Sequence, residues 1–212
     1  MIVAIDGPAA SGKGTVARAI AAHFGLPHLD TGLLYRAVGA SLKRRGIALD
    51  DVAAAELAAR NLTLDDLADQ SLRDRHVGEA SSVVAAIPEV RAALIALQRD
   101  FAKGRKGAVL DGRDIGTFIC PDADVKLFIT ASSEERARRR TLELEARDEA
   151  TPYADVLADI RKRDERDSNR SSAPLKMADD ATLIDTTALN VEASIAAGLA
   201  AVTKAMGRKA AN

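Results

Sequence analysis

The stretch that most limits what this chain can fold into is Gly7-Pro8-Ala9-Ala10-Ser11-Gly12-Lys13-Gly14-Thr15, which follows the apolar run Ile2-Val3-Ala4-Ile5 and a single Asp6. A G-x-x-x-x-G-K pattern between a buried strand and a helix is a phosphate-binding loop. Its glycines let the backbone curl until successive N–H groups point at one anion, and the following helix adds the partial positive charge of its N-terminus. The context is met, because Val16, Ala19, Ile20 and Phe24 recur at helical spacing from Thr15 and Gly25 stops the run. Lys13 is expected to reach the terminal phosphates of a nucleoside triphosphate. The hydroxyl that usually follows the lysine is displaced here from Gly14 to Thr15, which makes Thr15 the expected metal-side group.

The remaining order of elements sets the fold class. A second strand is expected around Leu26–Leu29, then a helix from Thr31 to Arg45 with Leu34, Val38 and Leu42 on one stripe and Gly46 as terminator. From Ile47 to Gly107 no strongly apolar strand is found, so this segment reads as a helical or irregular insertion; Pro88 opens a helix through Leu94, Leu97 and Phe101 to Gly104. Ala108-Val109-Leu110 and Val125–Ile129 are buried-strand patterns. Ser132 with Glu135 forms a capping box ahead of an Arg-rich helix Glu134–Arg147, Pro152 starts a helix reaching about Arg166, Thr182-Leu183-Ile184 is a last strand, and Asn190–Met206 a last helix before a frayed tail Lys209–Asn212. Strands alternating with helices predict an α/β fold, a parallel sheet of about five strands covered by helices, with ligands at the strands' carboxyl ends.

Composition excludes several alternatives. With 30 basic and 31 acidic side chains the net charge is −1, so no global field draws in nucleic acid or a membrane, and 3% aromatics leaves little to stack single-stranded bases on. No stretch approaches the ~20 apolar residues of a membrane span. The single cysteine, Cys120, excludes an internal disulfide framework and reads as a small buried hydrophobe. A cytoplasmic protein is expected. His23, His28 and His76 show no metal-ligand spacing and are assigned no role, while Asp6 and Asp30 suit turn capping as well as ordering water or magnesium.

Cations cluster where a second anion could be held. Arg36 closes Asp30-Thr31-Gly32-Leu33-Leu34-Tyr35, Arg113 sits within Asp111-Gly112-Arg113-Asp114, Arg136, Arg139 and Arg140 crowd one helix, and Arg163–Arg170 reads RDERDSNR. Positions 163, 167 and 170 share a face if their helix continues. Charge alone favours a solvated face laced with Arg–Asp pairs.

These segments, taken in order, resemble bacterial cytidylate kinases: Gly7–Thr15 in its GKGT form, DTG-x-x-YR at 30–36, G-x-V-x-DGRD-x-GT at 107–117, Pro121-Asp122-Ala123, ASSEER at 131–136 and RDxRDxNR at 163–170. The resemblance implies a P-loop kinase using ATP and Mg2+ to phosphorylate CMP and dCMP, with a core of 1–36 and 108–212, a lid at about 136–170 and an NMP-binding insertion at 37–107. It implies that Ser82, Arg91 and Asp114 recognise cytosine, Arg163 and Asp167 the sugar, and Arg36, Arg113 and Arg170 the acceptor phosphate, with Thr31 on the substrate side and Arg139 on the ATP side of the lid. Lys13, Arg113, Arg170 and Arg139 are the expected catalytic cations. The span between Arg36 and Arg91 is shorter than the family pattern leads one to expect. Cytosine chemistry agrees: its amine donates while N3 and O2 accept, so a carboxylate beside an arginine and a hydroxyl is a matching set, and uracil inverts that pattern. The expected partners are these small molecules and neither nucleic acid nor membrane, on a monomer. The alternatives are a kinase for another small acceptor (UMP, AMP or shikimate) or a non-catalytic ATP-binding switch.

Overall fold

The computed structural model describes residues 1–210. In chain order the elements are β1 (Ile2–Asp6), α1 (Lys13–Phe24), β2 (His28–Asp30), α2 (Thr31–Arg44), α3 (Val52–Arg60), α4 (Arg75–Val84), α5 (Pro88–Ala102), β3 (Ala108–Gly112), β4 (Val125–Thr130), α6 (Ser133–Glu145), α7 (Tyr153–Asn169), β5 (Thr182–Asp185) and α8 (Val191–Ala210). Short 3₁₀ turns lie at Asp65–Ala68 and Gln70–Arg73, and a π-helical turn at Ile115–Ile119.

The expected parallel sheet is present, five-stranded in the order β2-β3-β1-β4-β5. β1 is central, which is why Ile2–Ile5 is apolar at every position: a strand covered on both faces has no wet side. Alternate residues divide between two cores. Ala4 and Leu110 face α2 and α5 with Leu34, Val38, Val90 and Leu94, whereas Val3, Ile5 and Val109 face α1 and α8 with Val16, Ile20 and Val202. Ile5 is fully buried, and truncating such a side chain to alanine costs about 2–5 kcal/mol. Cys120 is buried in the first core. The chain between Asp30 and Ala108 contributes helices and no strand; its α5 shares the sheet's core, while Leu33, Ala37, Leu72 and Val77 form a small cluster beside it.

β1 and β3 pair in register, with Ile5 beside Asp111 and Asp6 beside Gly112, so both strands release the chain at the same edge. β1 continues into the phosphate loop and β3 into Gly112–Asp114, on the edge where ligands of such sheets bind.

Some expectations change. The α1 helix begins at Lys13 rather than Thr15, and α7 runs to Asn169 rather than about Arg166. Arg170 is past the helix end in an extended conformation, so it does not share a helical face with Arg163 and Asp167. The capping box is half formed: Ser132 Oγ accepts from the Glu135 amide, but the Glu135 carboxylate is taken by Arg138 and Arg139, and the Ser132 amide donates to Thr187 Oγ1 instead. Two strong guanidinium partners outcompete one backbone amide. The last helix extends to Ala210, which takes Lys209 out of the expected tail, and Ala211 and Asn212 lie outside the described residues.

Candidate active site

The phosphate loop is held by its surroundings as well as by its own Lys13. A Cβ at Gly7 would overlap the Ile129 carbonyl, and Gly12, at φ +87, sits in the left-handed region immediately before α1. No side chain caps that helix, which leaves its first amides free for an anion. The loop's carbonyls are braced from outside: Arg136 Nη1 donates to Ala9 O at 3.3 Å, and Thr186 Oγ1 to Ser11 O at 3.0 Å. Ala10 adopts φ +58 and packs against Ala137, Leu144, Val156 and Ile160 of α6 and α7. Lys13 Nζ donates to Pro8 O at 3.3 Å, and its pKa is brought down to about 7, first by burial and then by Arg113, against the opposing charges of Asp111 and Asp30. Ser11 Oγ is buried with no hydrogen-bond partner among the described residues.

Across a cleft of about 690 Å³ lie the acceptor-side candidates. Thr31, Arg36, Ser82, Arg113, Asp114, Arg139, Arg163, Asp167, Arg170 and loop residues Ala9–Thr15 line it; Gly7, Pro8 and Arg91 do not. Arg91 stands behind the wall, 2% exposed, paired through Nη2 with Asp114 Oδ2 and lying 5.7 Å from the centroid of the Tyr35 ring. Asp114 also receives Arg170 Nη2 at 3.3 Å, and Arg170 is fixed in turn by the Ala173 carbonyl. Arg113 Nε pairs with Asp167 at 2.8 Å, with Arg163 Nε 3.9 Å from the same oxygen. Burial would raise the Asp167 pKa, but Arg113 and Arg163 outweigh it and hold the carboxyl below its ordinary value. Arg163 is brought down to about 9 by burial and then by Arg113, and Arg36 to about 10 by burial and then by Arg140. Arg36 is oriented by the Leu72 carbonyl at 2.7 Å. Ser82 Oγ, Arg91 Nε and Arg163 Nε are buried without hydrogen-bond partners among the described residues. Unsatisfied buried groups are costly in a free protein and are found where a ligand completes them.

Other side chains have clear structural work. Asp6 accepts the Ile115 and Gly116 amides at 2.7 Å each, holding the π-helical turn, although burial raises its pKa to about 7. Asp30 caps α2 through the Gly32 amide at 3.0 Å, and burial followed by the charge of Asp111 raises its pKa. The Thr31 hydroxyl donates to the Asp111 carbonyl at 2.9 Å. Arg139 is anchored by Glu135 at 2.8 Å and by Thr186 O at 2.6 Å, beside the loop at Gly12. Two cleft residues escaped sequence reasoning. Asp111 lay inside the DGRD motif without a role, and Arg140, paired with Glu143 at 2.8 Å, was indistinguishable from its neighbours; its spacing of four from Arg136 gave no sign that it alone faces Arg36 and Arg163. His28 Nε2 meets Asp111 Oδ1 at 2.7 Å, a contact that only the pairing of β2 with β3 creates.

Among the described residues, no group of three or more His, Cys, Asp or Glu side chains could hold a metal ion by itself. Thr15 Oγ1, which accepts from Arg18 at 3.3 Å, and the nearby Asp111 carboxylate offer hard oxygens at the loop. That sparse set fits a magnesium ion that takes most of its ligands from phosphate and water.

The family model for cytidylate kinase matches residues 3–204. The chain belongs to this family. A protein of Methylocella silvestris named cytidylate kinase is 64% identical over 205 residues, covering 97% of this chain and 95% of that one. One of the same name from Azorhizobium caulinodans is 64% identical over 207 residues, covering 98% and 100%. Among solved structures, an uncharacterised protein from Eubacterium ventriosum superposes with a TM-score of 0.51 at 17% identity, covering 97% of this chain and 98% of that chain, a likeness of fold alone.

Proposed function

We propose that this protein transfers the γ-phosphoryl group of ATP directly to the 5′-phosphate of CMP and dCMP, without a phosphoenzyme. The observation that carries the reading is a phosphate-loop cleft lined by Asp114, which Arg91 backs from behind the wall, and by Ser82, whose hydroxyl is buried without a hydrogen-bond partner among the described residues. Asp114 supplies the acceptor that the cytosine amine needs, and Arg91 with Ser82 the donors for N3 and O2. UMP presents a donor at N3 and an acceptor at position 4, leaving these groups unpaired, so it is a poor substrate.

In this reading Lys13 and the Gly7–Thr15 amides hold the donor phosphates; Arg36, Arg113 and Arg170 hold the acceptor phosphate; Arg163 and Asp167 face the sugar. An acceptor phosphate is already ionised, so no general base is required, and catalysis is positioning plus charge stabilisation. Cations depressed by burial gain most when an anion arrives, because their charge has no solvent to relax into. Magnesium, which when bound neutralises charge on the donor phosphates, would take the Thr15 hydroxyl as a ligand. Arg139, with Leu189, Asn190, Val191 and Ser194, forms the wall on the ATP side. Closure brings the insertion 37–107 towards the tip of α6–α7, where Arg147 Nη1 already reaches the Arg73 carbonyl at 3.2 Å. One chain supplies every group used, so a monomer suffices. Among the described residues no single helix is long and apolar enough to cross a membrane, and the substrates place the work in the cytoplasm.

The test is a coupled ADP-release assay with Mg-ATP against CMP, dCMP, UMP, AMP and shikimate. Strong release with CMP and dCMP and little with UMP is expected; ATP binding without release for any acceptor would overturn the kinase reading in favour of a switch.

A further inference from the structure

The mechanism above leaves one buried carboxylate and its partner unused. Asp111 is the last residue but one of β3, with 3% of its side chain exposed, and His28 lies on the neighbouring edge strand with 18% exposed. The parallel register sets His28 beside Val109 and Asp30 beside Asp111, so His28 and Asp111 are offset by two positions and lean over the same face of the sheet. Their side chains meet at 2.7 Å, Nε2 to Oδ1. A carboxylate only accepts, so Nε2 carries the proton. Asp111 is held at its backbone too, where its carbonyl accepts from Thr31 Oγ1 at 2.9 Å.

With Oδ1 occupied, Oδ2 is the oxygen that faces the phosphate loop: a Cβ added to Gly14, between Lys13 and Thr15, would stand 3.7 Å from it. The carboxylate acts on the loop electrostatically, since Asp111 is the larger of the two negative charges sustaining the Lys13 ammonium. It also faces Asp30, a like charge that pushes against it. A carboxylate placed between a lysine and another carboxylate needs a fixed donor to keep one orientation. Among the described residues His28 is the side chain that hydrogen-bonds to it.

We propose that His28 is a positioning residue: by donating from Nε2 to Oδ1 it locks Asp111 with Oδ2 turned to the loop, as an acceptor for water bound to the nucleotide's magnesium. The inference rests on the kinase reading and deepens it. Partners that hydrogen-bond to a metal's own ligands contribute about 10–100-fold in affinity or activity, and His28 stands one hydrogen bond further out, on the carboxylate that accepts from the metal's water. His28 acts here through one hydrogen bond on one carboxylate, so the low end of that range applies.

The test uses the full chain with His28→Leu, which removes the donor, and His28→Gln, whose side-chain amide nitrogen stands close to where Nε2 stood. Manganese affinity of the enzyme–ADP complex is read by electron paramagnetic resonance, beside kcat, KM for CMP and thermal melting. His28→Leu is expected to weaken manganese binding about 10-fold and to lower kcat comparably while KM for CMP stays put, and His28→Gln to recover to within about 2-fold of the unsubstituted protein. Unchanged manganese affinity in His28→Leu overturns the proposal, as does a His28→Gln protein that is folded yet no better than His28→Leu. If His28→Leu fails to melt cooperatively, His28→Asn, polar but too short to reach Oδ1 from the same backbone, takes its place under the same criteria. The unsubstituted protein separates the two levels: no CMP-dependent ADP release from it removes the kinase reading and this inference with it, whereas normal release with an indifferent His28→Leu removes the inference alone.

Discussion

The phosphate-binding part of the donor half comes from one stretch of chain, Ala9–Thr15, and the acceptor half from four that line the cleft, α2, α4, the turn after β3, and α7 with Arg170, with Arg91 of α5 buried behind them. The halves also differ in how their polar groups are satisfied. The loop presents backbone amides at a helix start, and its carbonyls at Ala9 and Ser11 are braced by Arg136 and Thr186. The acceptor half is a chain of ion pairs, Arg91–Asp114–Arg170 and Arg113–Asp167–Arg163, in which the Ser82 hydroxyl and the Arg91 and Arg163 Nε groups have no hydrogen-bond partner among the described residues. Affinity for a phosphate can be built from local backbone alone. Choosing one base over another requires side chains placed against each other from distant parts of the sequence, with some hydrogen-bonding capacity held open.

The sharpest way to break this contrast is to remove one group from each half. Lys13→Met should lower kcat by about 10²–10³-fold with every acceptor alike, because it withdraws charge stabilisation from the migrating group and touches no base. Asp114→Asn should lower kcat/KM for CMP by about 10²-fold and leave ATP affinity unchanged, since the amide turns a donor towards the cytosine amine and loosens both arginines. Steady-state kinetics with each acceptor and nucleotide titration by fluorescence read the two. If Asp114→Asn weakened ATP binding as much as CMP use, the halves would be one electrostatic unit and Asp114 would have no part in reading the base.

The same contrast governs what could be read from the sequence. The loop is contiguous, so spacing alone predicts strand, turn and helix, and the strands around it follow from their apolar runs. The acceptor pairs join residues 23, 54 and 56 positions apart, for Arg91–Asp114, Arg113–Asp167 and Arg170–Asp114. No local pattern encodes such distances. Ser82 and Arg91 carry no local signal of their own, and only the family likeness picks them out; the folded chain buries both. Arg163, Asp167 and Arg170 were grouped on helical spacing, yet Arg170 reaches Asp114 from beyond the helix end. His28 was passed over because its partner is 83 residues away on a strand whose pairing with β2 is a property of the sheet.

A smaller effect sharpens the role of the open hydrogen-bonding groups. Ser82→Ala should lower kcat/KM for CMP by only about 3–10-fold, the worth of one neutral hydrogen bond. It should not lower the melting temperature of the free protein, because the hydroxyl it removes is buried without a partner there. A loss of stability would mean that Ser82 serves the fold of α4 and not the acceptor base.

The smallest expected signal tests the donor half without turnover. Lys13 titrates at about 7 in the free protein, burial being the main cause. At pH 8 most of the free lysine is therefore neutral, while the nucleotide's own phosphates are ionised. A bound polyphosphate surrounds the amine with negative charge and restores its pKa to well above 8. The complex then holds a proton that the free protein lacks, so ADP binding at pH 8 takes up approaching one proton, and the uptake fades towards pH 6, where the free lysine is already charged. Calorimetry in buffers of different ionisation enthalpy reads this directly. Lys13→Met should abolish the uptake; uptake that persists in that variant would place the titrating group elsewhere, and the buried carboxylates beside the loop, Asp30 and Asp6, would be the groups to examine by the same measurement.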